Sequence, residues 1–423
     1  MTSVDVQTLP QHDLRSDPFL WKSAFRGTPC DSRLLSRLQE LPSLDQVLSD
    51  AMILQRRDRG RGVTFGKGRQ KSALSLVGSP FVASSSADRY HIDVSGLSLF
   101  ERPTVASRSN RLRLKLPVLL AFRSLRGERC CVAFAETSHT RTHLVFDQTY
   151  YGMSFADAPV WLARRLNAVL NSKMVLYLAF MLSPAFGWDR RLIEVQDWLN
   201  IPLPRSVADG GAETGWAAVL AREEWLRLHC RPNAADSLAA RIPDTEDELD
   251  QEIFGLYDLS PSEVTLIEDT IRYTIRPFLR RAKGQASATF GRPDLAQLHA
   301  YARQLSRQLD GILRYGGLEL TTSILVANDS PINAFRFTVG ARTGGDLMRE
   351  VEVTGADGIL NGIAQDLRAE VAQNLYVQRD LRVYDGQSFW IIKPAERRLW
   401  TEAAALNDAD AVVREHMEAA VHA

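Results

Sequence analysis

Few stretches narrow the choice of fold as sharply as MVLYLAFML, from Met174 to Leu182. Nine consecutive apolar residues leave no polar stripe, so a helix built from them needs cover on every side. A membrane span needs about 20 apolar residues. Upstream the run meets Lys173, Asn171, Asn167, Arg165 and Arg164. A buried core helix is therefore expected, and no membrane partner. The apolar spacing predicts one long helix over 157–183. The segment GWDRRLIEVQDWLNIPLP follows, and Pro202 and Pro204 close the unit.

That helix sits between unlike neighbours. Residues 1–54 read as a small helical segment, with Leu34, Leu35, Leu38 and Leu41 at helical spacing and Asp31 as N-cap. RRDRGRGVTFGKGRQK, rich in Gly and Arg, begins as loop. From residue 63 to 150, short runs rich in Val, Leu and Phe are separated by Gly, Ser and Pro, which predicts strands. Within them RLRLKL alternates strictly. A strand there puts Arg111, Arg113 and Lys115 on one face and Leu112, Leu114 and Leu116 on the other. Residues 206–284 read as an acidic helical segment. It splits at Ser260-Pro261, where Ser260 and Glu263 form a capping box. Residues 285–423 alternate helix and strand and include a hairpin turning at Asp385-Gly386. The expected class is α+β: a mixed, β-rich domain over 55–205 with packing helices, a helical segment, and a C-terminal α/β domain.

Formal net charge is zero over 423 residues, but it is unevenly spread. Gln55 to His143 holds 17 Lys/Arg and 6 Asp/Glu, while Asp236 to Asp269 holds 11 acids and one base, Arg241. One surface for a polyanion is expected, with the acidic one solvated or facing a basic partner. Cys30, Cys130, Cys131 and Cys230 form no C-x-x-C pair, so neither a structural zinc nor another cofactor is expected. Adjacent Cys130 and Cys131 suit a strand with opposed side chains. A reducing, cytoplasmic location fits the cysteine usage. GKG at Gly66–Gly68 lacks the phosphate-loop frame, and no serine sits in a nucleophile elbow. The acid run Asp244–Glu252 lacks the pattern of a calcium loop and reads as a solvated helix face.

The order of several motifs adds a resemblance. KSAFRGTPCDSRLLSRLQELPSLDQVL (Lys22–Leu48), then GRGVTFGKG, then LSLVGSPFVAS, then FDQTYYGMSF resemble successive elements of bacterial adenine-N6 DNA methyltransferases of restriction-modification and anti-phage systems. Leu170-Asn171-Ser172 with Ile201–Pro204 is similar to that family's "LNS … lPlP" frame, and LDQEIFGLYDLSPSEVTLIED (Leu249–Asp269) to its acidic element. The resemblance covers about residues 20–270. The catalytic domain that would precede residue 20 is missing, and the [DNS]-P-P-[YF] motif with it. The resemblance thus implies a target-recognition-like DNA-binding domain over 55–205, not an enzyme on its own. It would direct a separate adenine-N6 methyltransferase subunit, with or without a nuclease, to its site on double-stranded DNA.

Arginine and lysine neutralise phosphates, while a few side chains read base edges. The residues expected to meet DNA are Arg59, Arg61, Lys67, Arg69 and Lys71 of the Gly-rich stretch, Arg108, Arg111, Arg113 and Lys115 of the alternating strand, and Arg190 and Arg191 after the apolar helix. Two rival readings stand beside this one. One is a scaffold subunit of a defence complex that reads no bases. The other is a magnesium-dependent nuclease using Asp93, Glu194 and Asp197.

Overall fold

Val118–Phe122, Val132–Ala135 and Tyr150–Ser154 are runs in which every side chain is buried. Strands of that kind need cover on both faces, and the fold supplies it. The computed structural model describes residues 11–16, 26–50, 54, 56–66, 69–86, 88–106, 114–125, 127–136, 141–187, 191–211, 213–230, 236–280, 291–326, 330–343, 347–352, 358 and 381–422. The chain is α+β and divides into two compact units. One unit is Ser32–Ile267; the other joins Met1–Asp31 to Glu268–Ala423.

The Ser32–Ile267 unit carries strands β1 (Arg59–Arg61), β2 (Lys71–Ser72), β3 (Phe81–Val82), β4 (Tyr90–Ile92), β5 (Thr104–Val105), β6 (Leu114–Lys115), β7 (Val118–Phe122), β8 (Val132–Ala135), β9 (His143–Phe146) and β10 (Tyr150–Ser154). Its main sheet has the order β1-β10-β7-β8-β4, antiparallel except for the β4–β8 pair. A second sheet runs β3-β9-β6, and β2 pairs with β5 as a two-stranded ribbon. Leu120, Phe122, Ala133 and Tyr150 of the main sheet share a core with Val82, Leu114, Leu144 and Phe146 of the second. Val63, Ala73, Leu76, Phe100, Val105 and Val145 form a smaller core under the ribbon.

Helices cover the other face of the main sheet. The principal ones in this unit are α1 (Pro29–Leu38, which enters it from the other unit), α2 (Leu44–Ser49), α3 (Val160–Leu170), α4 (Lys173–Leu182), α5 (Val195–Leu199), α6 (Glu213–His229), α7 (Ile242–Leu256) and α8 (Pro261–Thr270). Helix α3 packs on β7 and β8, α6 on α3 and β4, and α7 on α6 and α4. Met174 through Leu182 of α4 are all buried, as the apolar run requires. The expected single helix over 157–183 is instead two. Ser172 leaves the helical conformation at ψ 161° and its Oγ caps α4 at the Val175 N–H, 3.3 Å away. Asp31, expected as an N-cap, lies inside α1. Its carboxylate accepts bonds from the Thr28 N–H (2.7 Å) and hydroxyl (2.6 Å), and Thr28 Oγ1 accepts from the Asp31 N–H (3.3 Å). This reciprocal pattern is a capping box with Thr28 at its head. Ser260 and Glu263 form the same box at the start of α8.

In the second unit, strands β11 (Leu318–Val326), β12 (Ile332–Ala341), β13 (Met348–Glu352), β14 (Leu381–Asp385) and β15 (Ser388–Pro394) form one sheet in the order β13-β11-β12-β15-β14. Helix α9 (Leu295–Leu313) packs on β11, and α10 (Glu402–His422) packs on α9. Leu305, Ile324, Phe335, Phe337, Ile391 and Trp400 anchor the core. Gly386 turns the β14–β15 hairpin at φ 54°, the left-handed conformation that glycine adopts without steric cost. The helix expected in GILNGIAQDLRAEVAQNL lies outside the described residues apart from Gly358.

Candidate nucleic-acid interface

The β2–β5 ribbon gathers basic side chains. Lys71 is exposed on β2 and pairs in register with Val105. Arg69 is exposed just before β2, and Arg102 is exposed just before β5, with its guanidinium 4.5 Å from the Phe65 ring centre. The Phe65, Phe81 and Phe100 rings pack edge-on or stacked against one another and support this ribbon. On β6, Leu114 is buried in the main core while Lys115 is exposed. Period-two alternation therefore turns Lys115 to the opposite face of its sheet. Val145, one residue on from Leu144 in β9, shares that face and packs under the ribbon. Lys71 thus stands on the ribbon, with Arg69 and Arg102 just before its two strands and Lys115 on β6, and among the described residues none of the four has an acidic partner. Residues 107–113, with Arg108, Arg111 and Arg113, connect β5 to β6. They lie outside the described residues, as do Lys67 and Arg190.

Several other cations of the basic region are paired with carboxylates of the same unit. Arg59 pairs with Asp45 at 2.7 Å and donates to Ser49 Oγ at 3.0 Å. Arg61 meets Glu194 at 3.3 Å, and Arg123 pairs with the same carboxylate. Arg191 is exposed beside them. The largest cluster joins the basic region to α7. Arg129 meets Glu246 (3.1 Å), Asp247 (3.3 Å) and Asp250 (2.8 Å), Arg89 meets Glu246 (3.1 Å), and Lys173 meets Asp247 (2.9 Å). Burial pushes the Asp250 carboxyl up, and Arg129 and the Lys173 N–H offset only part of that. Burial also opposes the Arg129 charge, but Asp250 and Glu246 more than offset it and hold its pKa above the ordinary arginine value. The acid run is therefore solvated only in part, with Asp244, Asp247 and Glu248 exposed as its composition suggests. Glu246 and Asp250 are buried because the basic strand ends supply their counter-charges.

The LNS motif has a structural role in this assembly. Asn171 accepts from the Val132 N–H at 3.0 Å and donates to the Val132 carbonyl at 2.8 Å, so its amide continues the β8 edge like a strand residue. One turn earlier, Asn167 donates to the Tyr90 carbonyl (3.0 Å) and to Glu223 (2.8 Å). Tyr90 sits at φ 67°, a conformation a tyrosine rarely adopts, and its hydroxyl donates to Glu246 at 3.1 Å. Burial raises the Glu223 carboxyl, and Asn167 and Arg164 counter only part of this. The motif thus ties the helix layer to the main sheet. It does not present groups to solvent.

Asp93 stands apart from the other two carboxylates considered for metal chemistry, while Glu194 and Asp197 share the start of α5, where Asp197 accepts from the Glu194 N–H at 2.9 Å. Asp93 accepts from the Ser95 hydroxyl at 2.5 Å, Glu194 pairs with Arg61 and Arg123, and Asp197 accepts from the Ser183 hydroxyl at 2.5 Å. Among the described residues no group of three His, Cys, Asp or Glu side chains is placed to hold a metal ion, and no helix is long and apolar enough to cross a membrane. Sequence reasoning missed Arg102. Its value comes from the Phe65 ring beneath it, a contact that no local pattern announces. No protein-family model matches the chain, and no curated protein is significantly similar to it.

Proposed function

We propose that this chain is the DNA-binding specificity subunit of a bacterial DNA-modification or anti-phage system, acting in the cytoplasm to bring a separate adenine-N6 methyltransferase to its target. The observation that carries the reading is the set of exposed cations on and beside the β2–β5 ribbon and on β6. There Arg69, Lys71, Arg102 and Lys115 have no acidic partner among the described residues, while Arg59, Arg61, Arg89, Arg123 and Arg129 are paired. Cations held on and beside strands can meet phosphates, and the 107–113 segment, with three more arginines, joins β5 of the ribbon to β6. On this reading the ion-paired set builds the platform and the unpaired set makes the contact.

Selection from a random duplex library tests it. Enrichment of one defined sequence by the intact chain is the expected result. Recovery of duplexes without preference would favour a scaffold that reads no bases.

A further inference from the structure

The unit that contains the C-terminus holds a cavity of about 380 Å³ whose walls carry opposite charges. That volume lies within the range of small-molecule sites, about 300–1,000 Å³. Asp269, Asp294 and Glu402 line it, and so do Arg272, Arg397 and Tyr273. Among the described residues, no ion pair joins either guanidinium to any of the three carboxylates.

The backbone explains why these charges do not collapse onto one another. Asp269 is held by the Ala403 N–H at the start of α10 (2.7 Å), and Asp294 caps α9 at the Gln297 N–H (2.8 Å). Arg397 is pinned from both sides. Its N–H donates to the Gly291 carbonyl at 2.7 Å, and its carbonyl accepts from Gln297 Nε2 at 2.7 Å. Its Nε is buried with no hydrogen-bond partner among the described residues. Arg272 and Tyr273 stand on a π-helical turn, Ile271–Ile275, that interrupts the helix running on from α8. Such turns re-aim side chains and recur at binding sites.

We propose that this cavity binds a small zwitterion, a free amino acid or dipeptide, with its carboxylate at Arg272 and Arg397 and its ammonium at Asp269 and Glu402. A simple anion would face three carboxylates, and a simple cation would face two guanidiniums. A molecule carrying both charges satisfies both walls, and each contact is a charge-assisted hydrogen bond. Burial pushes the Asp269 carboxyl up to about 6. Glu402 adds to the rise, while the Ala403 N–H, Thr401 and Arg272 oppose it. Tyr273, Asp294 and Arg397 are the other titratable groups of the wall. An ammonium at Asp269 favours the ionised carboxylate, so binding tightens as pH rises from about 5 to about 7.

Isothermal titration calorimetry on the intact chain tests this with three probes: alanyl-glutamine, inorganic phosphate and putrescine. The expected result is saturable binding of the dipeptide alone. Arg272→Gln, at an exposed position, should weaken it by about tenfold or more with an unchanged melting temperature. Asp269→Asn should remove the pH dependence. Phosphate or putrescine binding as tightly as the dipeptide would overturn the proposal. So would dipeptide affinity indifferent to Arg272→Gln, or the absence of saturable heat from the dipeptide.

Discussion

Single atoms decide several features of this protein. In FDQTYYGMSF the spacing from Phe146 to Gly152 carries a steric requirement, because a Cβ on Gly152 would overlap the Phe146 ring. Gly152→Ala should therefore destabilise the protein by about 1–3 kcal/mol, the usual cost of overpacking. Phe146→Leu should relieve part of that loss in the double variant, as read from the urea midpoint. Asp269 gives a second test. Its folded pKa, about 6, lies above the ordinary aspartate value of 3.8. Its contribution is thus fully present below the unfolded value and is lost as pH rises through about 6. The ionised form costs on the order of 3 kcal/mol relative to the neutral one. Asp269→Asn, which keeps an acceptor for the Ala403 N–H, should gain stability over the native chain at pH ~8 and none at pH ~4, measured by thermal melting. Such details were unevenly legible. The Ser260–Glu263 box and the Asp385-Gly386 turn could be read from neighbouring residues because their partners are local. Thr28 as the head of its box was missed because Asp31, three residues on, carries the stronger capping residue type.

At the scale of elements, the break between α3 and α4 shows where local pattern fails. The apolar periodicity passes through residues 166–182 without interruption, so one helix is the natural expectation. The break is set by long-range bonds, since Asn171 spends its amide on Val132 of β8. Asn171→Ala would leave both buried backbone groups of Val132 without that partner. A loss of about 3 kcal/mol is expected, with the denaturant slope unchanged, since the same surface unfolds. Helix α7 teaches the same lesson in electrostatics. Its acids were plain in the sequence, but their partners, Arg89, Arg129 and Lys173, lie about 75 to 160 residues away. Composition reports how much charge a segment carries. Only the fold reports which charge is already compensated. The strands of the second unit were easier to read, since β11 and β12 are long, continuous and bounded by turn residues.

For the whole molecule, the zero net charge hides a division of labour. Much of the basic excess of residues 55–143 is cancelled by α7 and by Asp45 and Glu194 within the same unit. Among the described residues, the cations left without an acidic partner include Lys71 on the β2–β5 ribbon, Arg69 and Arg102 beside it, and Lys115 on β6. Expected contacts at Arg59 and Arg61 are thus held partly by the protein itself, and the burden shifts to Arg69, Lys71, Arg102 and Lys115. The central claim is that this set meets a duplex. The most direct measurement is the affinity of the intact chain for duplex DNA across a range of salt concentrations, repeated with Lys71→Glu/Lys115→Glu and with Arg303→Glu/Arg307→Glu, both exposed on α9, as a charge-matched control in the other unit. A steep negative slope of log affinity against log salt is predicted. Each phosphate contact removed should make it shallower by about 0.9, so the double variant should lose about twice that and the control nothing. Affinity that ignores salt, or a double variant indistinguishable from the control, would contradict the account.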